Sequence, residues 1–165
     1  MALLAPNTVL TLGFSLDIIQ TDIEKKHQNI KHIADDDFLK LDEKNTLIFD
    51  VRESSEFNVS HIKNAIQITP NIDSKEFLKK FSHQLKGKHL VFYCSVGQRS
   101  SELASRLKPL LTSQGVQEIY NLKGGIFQWH NNRRPLVKND APTPFIHPFN
   151  AYWGLLIENR QFIKH

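Results

Sequence analysis

Three short, nearly unbroken apolar runs limit what this chain can fold into. They are Thr46-Leu47-Ile48-Phe49-Asp50-Val51, His89-Leu90-Val91-Phe92-Tyr93 and Glu118-Ile119-Tyr120-Asn121-Leu122. A strand with one wet face alternates apolar and polar residues, whereas a strand covered on both faces reads as a continuous apolar run. A further short strand, Ala65-Ile66-Gln67-Ile68, stops before Pro70. Helix signals lie between the runs. Asp35, Asp36 and Asp37 are N-cap candidates ahead of Phe38-Leu39-Lys40-Leu41, and Ser54 to Phe57 reads as a helical turn. Asp73 or Ser74 caps a helix reaching Leu85, with Phe77, Leu78, Phe81 and Leu85 on one face and Gly87 at its end. Ser100 to Leu107 is another helix, with Leu103, Ala104 and Leu107 toward the core; Pro109 lacks an N–H and is expected to kink or end it. Ile126 to His130 forms a short helical segment. Strands alternating with helices predict an α/β protein, a parallel sheet covered on both faces.

With 165 residues the chain fits one domain with extensions. Three parts are expected: an N-terminal extension over 1–30, the α/β domain over 31–137, and a Pro-containing linker with a C-terminal helix over 138–165. The helix is expected from Tyr152, Trp153, Leu155, Leu156, Ile157 and Phe162 after Pro142, Pro144 and Pro148. The formal charge is +4, but the basic doublets Lys25-Lys26, Lys79-Lys80 and Arg133-Arg134 are scattered, and acids interrupt them. That is a mixed solvated surface rather than a phosphate-binding stripe, so no nucleic-acid partner is expected. No run reaches transmembrane length. Met1 to Gln20 is apolar but has no basic leader and contains Pro6, Gly13 and Asp17, a poor signal peptide and a packed or frayed segment. A single cysteine cannot form an internal disulfide. The expectation is a cytoplasmic protein without a membrane partner. The eight histidines have no ligand spacing, so no metal and no cofactor are expected.

That cysteine is the chemical focus. Cys94 ends an apolar run and is followed by Ser95-Val96-Gly97-Gln98-Arg99 and then Ser100, which can open a helix. A thiol between a strand end and a helix start meets free backbone N–H donors and a partial positive charge, which favour a thiolate and an anion bonded to it. Gly97 permits the tight bend by which loop N–H groups turn inward. Without this context a lone cysteine is a small buried hydrophobe.

Four blocks together resemble the single-domain rhodaneses, a sulfurtransferase family. They are Leu47 to Glu53 with Glu56-Phe57, His61 to Ile66, the Cys94 to Ser100 loop, and Asn121 to Ile126 with Trp129. The resemblance runs from about Ile33 to Val137. Ser60 stands where a glycine is usual, Lys63-Asn64 where Pro-Gly is common, and Lys108 to Gln114 looks longer than usual. The resemblance implies a rhodanese-like parallel five-stranded sheet with helices on both faces. It also implies a Cys94 that takes a sulfane sulfur from a small donor, such as thiosulfate or a persulfide, and passes it to cyanide, a thiol or a protein thiol. Ser95, Val96, Gly97, Gln98, Arg99 and Ser100 would hold that sulfur and its donor. Asp50 and Arg52 either orient the loop or form a structural ion pair after the strand, the second reading being favoured. His61 pins a loop rather than acting as a base, and Gly124-Gly125 and Trp129 serve as turn and packing residues.

Other classes fit less well. Related phosphatases and arsenate reductases have a loop one residue longer than the four residues between Cys94 and Arg99. A thiol–disulfide oxidoreductase needs a second thiol. A non-catalytic binding module of the same fold would have no need of Cys94.

Overall fold

A five-stranded, wholly parallel sheet organises the computed structural model, which describes residues 15–165. In chain order the elements are α1 (Leu16–Lys26), β1 (Lys31–Ile33), α2 (Asp35–Phe38), β2 (Thr46–Asp50), α3 (Ser54–Val59), β3 (Ala65–Gln67), α4 (Ser74–Leu85), β4 (His89–Tyr93), α5 (Gln98–Ser113), β5 (Glu118–Leu122) and α6 (Gly125–Asn131). The strand order is β1-β5-β4-β2-β3, which puts β4 in the centre. Both faces are covered. Phe49, Leu90 and Phe92 pack against Phe77, Phe81 and Leu85 of α4 and Leu103, Leu107 and Leu111 of α5. Val91, Tyr93 and Leu122 pack on the other side against Phe38, Ile126, Phe127 and Trp129. The Phe49 ring sits 5.1 Å from Phe92 and 5.1 Å from Phe81. Each such side chain contributes about 1.5–3 kcal/mol by leaving water.

Four local features differ from the sequence reading. β1 has no apolar run to announce it: Lys31-His32-Ile33 pairs with β5 at the sheet edge and buries only Ile33. The three aspartates form the first turn of α2, with Ala34 in the N-cap position. Helix α5 begins at Gln98 and runs through Pro109 to Ser113. Leu111 extends the buried stripe of Leu103, Ala104 and Leu107, and its burial (about 1.5–3 kcal/mol) is of the same order as proline's cost of about 3 kcal/mol.

The fourth concerns the end of the chain, where no long helix forms. The expected linker begins inside a hairpin of β6 (Leu136–Lys138) and β7 (Ala141–Thr143), turned by Asn139 and Asp140 at φ 49° and 61°. Such a two-residue turn with positive φ at both positions matches strand twist. Beyond it lie single 3-10 turns at Trp153–Leu156 and Arg160–Phe162. The apolar residues there act as separate anchors rather than one stripe: Ile146, Leu156 and Ile157 are buried, and Ile146 bridges to Ile163. Of the Met1 to Gln20 segment, Leu16 to Gln20 belongs to α1 and residues 1–14 lie outside the described residues. No described helix is long and apolar enough to cross a membrane.

Candidate active site

Cys94 follows β4 at the carboxyl edge of the sheet, where open α/β folds place their ligands. Its side chain is buried. Gly97 takes φ +100° and donates its N–H to the Cys94 Sγ at 3.2 Å. Of the loop N–H groups expected to converge there, this is the one bonded to sulfur. A Cβ on Gly97 would lie 3.0 Å from Asn121 Nδ2, a tight contact, and its positive φ strains any other residue there. Ser100 is the third residue of α5, within its first turn rather than at its start. Its hydroxyl donates to Asn121 Oδ1 at 2.6 Å, and it does not line the cavity at Cys94.

The back of the loop is stitched to α6. Ile126 and Phe127 donate their N–H groups to the carbonyls of Cys94 (2.9 Å) and Ser95 (3.0 Å). This approach depends on Gly125, where a Cβ would fall 2.4 Å from the Cys94 carbonyl oxygen. The Lys123-Gly124-Gly125 turn therefore positions the Cys94 loop as well as closing a strand.

Arg99 does not present its guanidinium freely at the loop's end. Its fork donates to Glu56 through Nη1 and Nη2, both at 2.9 Å, and Nη2 also donates to Ser95 Oγ at 2.9 Å. Ser95 Oγ in turn donates to Glu56 Oε1 at 2.9 Å. Burial pushes the Glu56 carboxyl up, but the Arg99 fork and the Glu53 N–H outweigh it and hold the group below its usual range. Burial acts against the Arg99 charge, and Glu56 and Cys94 more than restore it. Glu56 is the site residue that sequence reasoning missed. Its local signal was a capping box: Glu53 is the N-cap of α3, with Glu56 three residues on. The arginine it grips comes 43 residues later.

Asp50 and Arg52 form a second, fully buried network. Arg52 donates Nε to Asp50 Oδ1 (2.8 Å) and Nη2 to Asp50 Oδ2 (2.6 Å) and to the Ser60 carbonyl (2.7 Å). The Tyr93 hydroxyl donates to Asp50 Oδ2 at 2.6 Å and accepts the Ile62 N–H at 3.1 Å. His61 bonds through Nδ1 to the Phe57 carbonyl at 3.1 Å and stacks on the Phe57 ring.

A cavity of about 210 Å³ opens at Cys94. Ser95, Val96, Gln98 and Arg99 line it from the loop and first turn, Glu102 from the next turn, and Phe149 and Trp153 from the C-terminal segment. A larger cleft of about 540 Å³ beside His130, Arg133 and Phe162 shares no residue with it and contains no thiol. Among the described residues no cluster of three or more His, Cys, Asp or Glu is placed to hold a metal ion.

Comparison with known proteins agrees with this geometry. The family pattern described as a rhodanese-like domain matches residues 35–132. Among curated relatives, the tRNA uridine(34) hydroxylase of Onion yellows phytoplasma is 33% identical over 116 residues, covering 67% of this chain and 36% of the relative. Its namesake from Buchnera aphidicola is 33% identical over 108 residues, covering 64% and 31%. The chain thus spans about a third of the length of these relatives. A rhodanese-related protein from Thermoplasma volcanium superposes with a TM-score of 0.51 at 27% identity, covering 65% of this chain and 97% of the other. A thiosulfate sulfurtransferase from Pseudomonas aeruginosa, at 12% identity and a TM-score of 0.56 over 76% of this chain and 23% of the other, shares the fold. A family match over more than half of the chain, carried on the five-stranded parallel sheet with Cys94 at its edge, makes this protein a member of the rhodanese-like domain family.

Proposed function

We propose that this protein is a sulfurtransferase in which Cys94 carries the sulfur. The Cys94 thiolate attacks the outer sulfur of a donor such as thiosulfate or a persulfide. A new S–S bond forms as the donor's own bond breaks, and sulfite or a thiolate leaves with the electron pair. Cys94 is left as a persulfide with an anionic terminal sulfur. Cyanide or a thiolate, its proton already given to solvent, then attacks that sulfur. The Cys94 thiolate leaves, and thiocyanate or a new persulfide is released. Both steps are displacements at sulfur that balance without a further co-reactant, which suits a chain with one thiol.

The observation that carries this reading is the Gly97 N–H aimed at Sγ at 3.2 Å. In this reading Cys94 is the nucleophile, and Ser95 to Arg99 cradle the transferred sulfur. Arg99, Ser95 and Glu56 are positioning residues, and Asp50 and Arg52 brace the strand ends. Two features weigh against oxyanion chemistry of the phosphatase type. The loop is short, and the Arg99 fork is already taken by Glu56 and Ser95. The names of the curated relatives point to tRNA as the substrate of proteins about twice this length. For this chain a small sulfur donor and a thiol or cyanide acceptor are the favoured partners. Its surface cations are interleaved with acids, as in Lys26–Asp22, Lys80–Glu76 and Lys123–Glu24.

The test is intact-protein mass after thiosulfate or a persulfide donor, with thiocyanate release measured in parallel. The expected result is one added sulfur atom on Cys94, removed by cyanide, and no turnover in Cys94→Ala. Turnover retained in Cys94→Ala defeats the mechanism.

A further inference from the structure

We propose that Phe149 and Trp153 form a specificity wall that makes the site prefer sulfur donors bearing a flat apolar group over small inorganic dianions. The proposal rests on the sulfur-transfer reading of Cys94 and names the substrate class for it. Both aromatic residues lie beyond the segment matched by the family, residues 35–132, so the wall is an addition of this chain's C-terminal segment.

The wall is held in place. Phe149 takes φ 64°, an unusual conformation for a bulky residue. Its N–H donates to His147 Nδ1 at 3.0 Å, and its ring covers the Arg99 guanidinium with Cζ 4.8 Å from the centroid. Asn150 Oδ1 accepts the Trp153 N–H at 3.0 Å, and the Asn150 carbonyl accepts the Gly154 N–H at 2.9 Å. The segment is fastened to the body at Ile146, which donates its N–H to the Phe162 carbonyl and accepts that of Lys164.

Charge and size select in the same direction. Among the described residues lining the cavity, Arg99 is the sole cation and Glu102 the sole carboxylate. Glu56 already balances Arg99. With Cys94 as a thiolate the mouth is net negative, which opposes a dianion such as thiosulfate more than a monoanion. About 210 Å³ is below the roughly 300–1,000 Å³ of sites for drug-sized ligands, and suits one ring beside the sulfur. An aryl thiosulfonate has that form. Cys94 attacks its outer sulfur, the S–S bond breaks, and an arenesulfinate leaves with the electron pair.

The experiment compares benzenethiosulfonate, the methanethiosulfonate anion and thiosulfate as donors to cyanide, with intact mass recorded for each. The two thiosulfonates share leaving-group chemistry and differ in the ring. The wild type is expected to favour the ring over the methyl by about tenfold or more in kcat/KM. Phe149→Ala and Trp153→Ala should each erase most of that preference through KM. Glu102→Gln should raise kcat/KM for thiosulfate more than for either monoanion. Equal use of ring and methyl donors by the wild type, or a preference unchanged in both folded variants, overturns the wall while leaving sulfur transfer intact. Failure of every donor to add sulfur to Cys94 defeats the underlying reading as well.

Discussion

The molecule contains the same polar device twice, in two settings. Each copy is a carboxylate held at both oxygens by an arginine, with a hydroxyl donating to it. In the sheet the trio is Asp50, Arg52 and Tyr93, and the side chains of the ion pair are 0% exposed. On the loop it is Glu56, Arg99 and Ser95, where Arg99 is 22% exposed and Glu56 2%. The first ties β2 and β4 to the Ser60–Ile62 turn. The second ties the Cys94 loop to α3. Burial decides what each can do. A network sealed from water tolerates no loss of a member, whereas one with an arginine at the surface can rearrange around a loss.

Removing the carboxylate gives the largest contrast. Asp50→Ala strands the Arg52 charge in the interior and should cost about 3–5 kcal/mol, read as a fall in urea midpoint at constant slope. Glu56→Ala leaves Arg99 able to turn to solvent, and about 1.5–3 kcal/mol is expected for its charged hydrogen bonds. Equal losses would mean that exposure of the arginine does not govern the cost.

Activity should rank the networks in the opposite order. Arg99→Ala frees Ser95 and the loop beneath Cys94, and sulfur transfer should fall roughly ten- to a hundredfold. Arg99→Lys should restore part of the rate but not all, because an ammonium cannot span both Glu56 oxygens. Conservative changes in the buried network that leave the protein folded should alter the rate far less. Rates with a saturating donor, measured on folded samples of each variant, make the comparison. A full rescue by lysine would make Arg99 a point charge rather than a planar tether.

How much of this was legible in the sequence differs between the networks for the same reason. Asp50 and Arg52 sit two residues apart after a buried run, so a local ion pair was readable. Glu56 and Arg99 are 43 residues apart, and only the fold brings them together. The long apolar strands β2, β4 and β5 were visible because burial on both faces writes itself into consecutive residues. β1 was not, since three residues at a sheet edge carry no period. The C-terminal segment misled for a related reason: its apolar residues are individual anchors, and their density imitates a helix. Gly125 read as a turn residue because the carbonyl it must accommodate belongs to another loop.

The two networks should also fail at opposite ends of the pH scale. The Glu56 carboxyl is held below its usual range in the folded protein. Its stabilisation is therefore complete above the unfolded value of about 4.3 and is lost as pH falls through the folded value. Tyr93 is the reverse. Burial first, then the Asp50 charge, raises its phenol well above the usual range. The folded state keeps that proton after the unfolded chain begins to lose it, so stability declines as pH rises past about 10. Denaturation midpoints across pH should show a weaker acid dependence in Glu56→Gln and a weaker alkaline dependence in Tyr93→Phe. Either variant flattening the other's limb would contradict the assignment.

The smallest effects come from deleting the two hydroxyls, and they test the comparison with the least disturbance. Ser95→Ala removes one oxygen, yet Glu56 and Arg99 remain bonded to each other through both arms. No charge is orphaned, so about 0.5–1.5 kcal/mol is expected, the net value of an ordinary hydrogen bond. Tyr93→Phe leaves Asp50 held by Arg52, but it also removes the acceptor for the Ile62 N–H in a buried position. An unsatisfied buried donor costs about 1–3 kcal/mol, so the tyrosine should be the more expensive loss. The rates should fall the other way, because Ser95 is part of the loop that carries Cys94 and Tyr93 faces the Asp50 side. Urea midpoints and thiocyanate release on both variants decide it. If Tyr93→Phe slows transfer more than Ser95→Ala while both remain folded, the buried network reaches the thiol and the division between bracing and positioning falls.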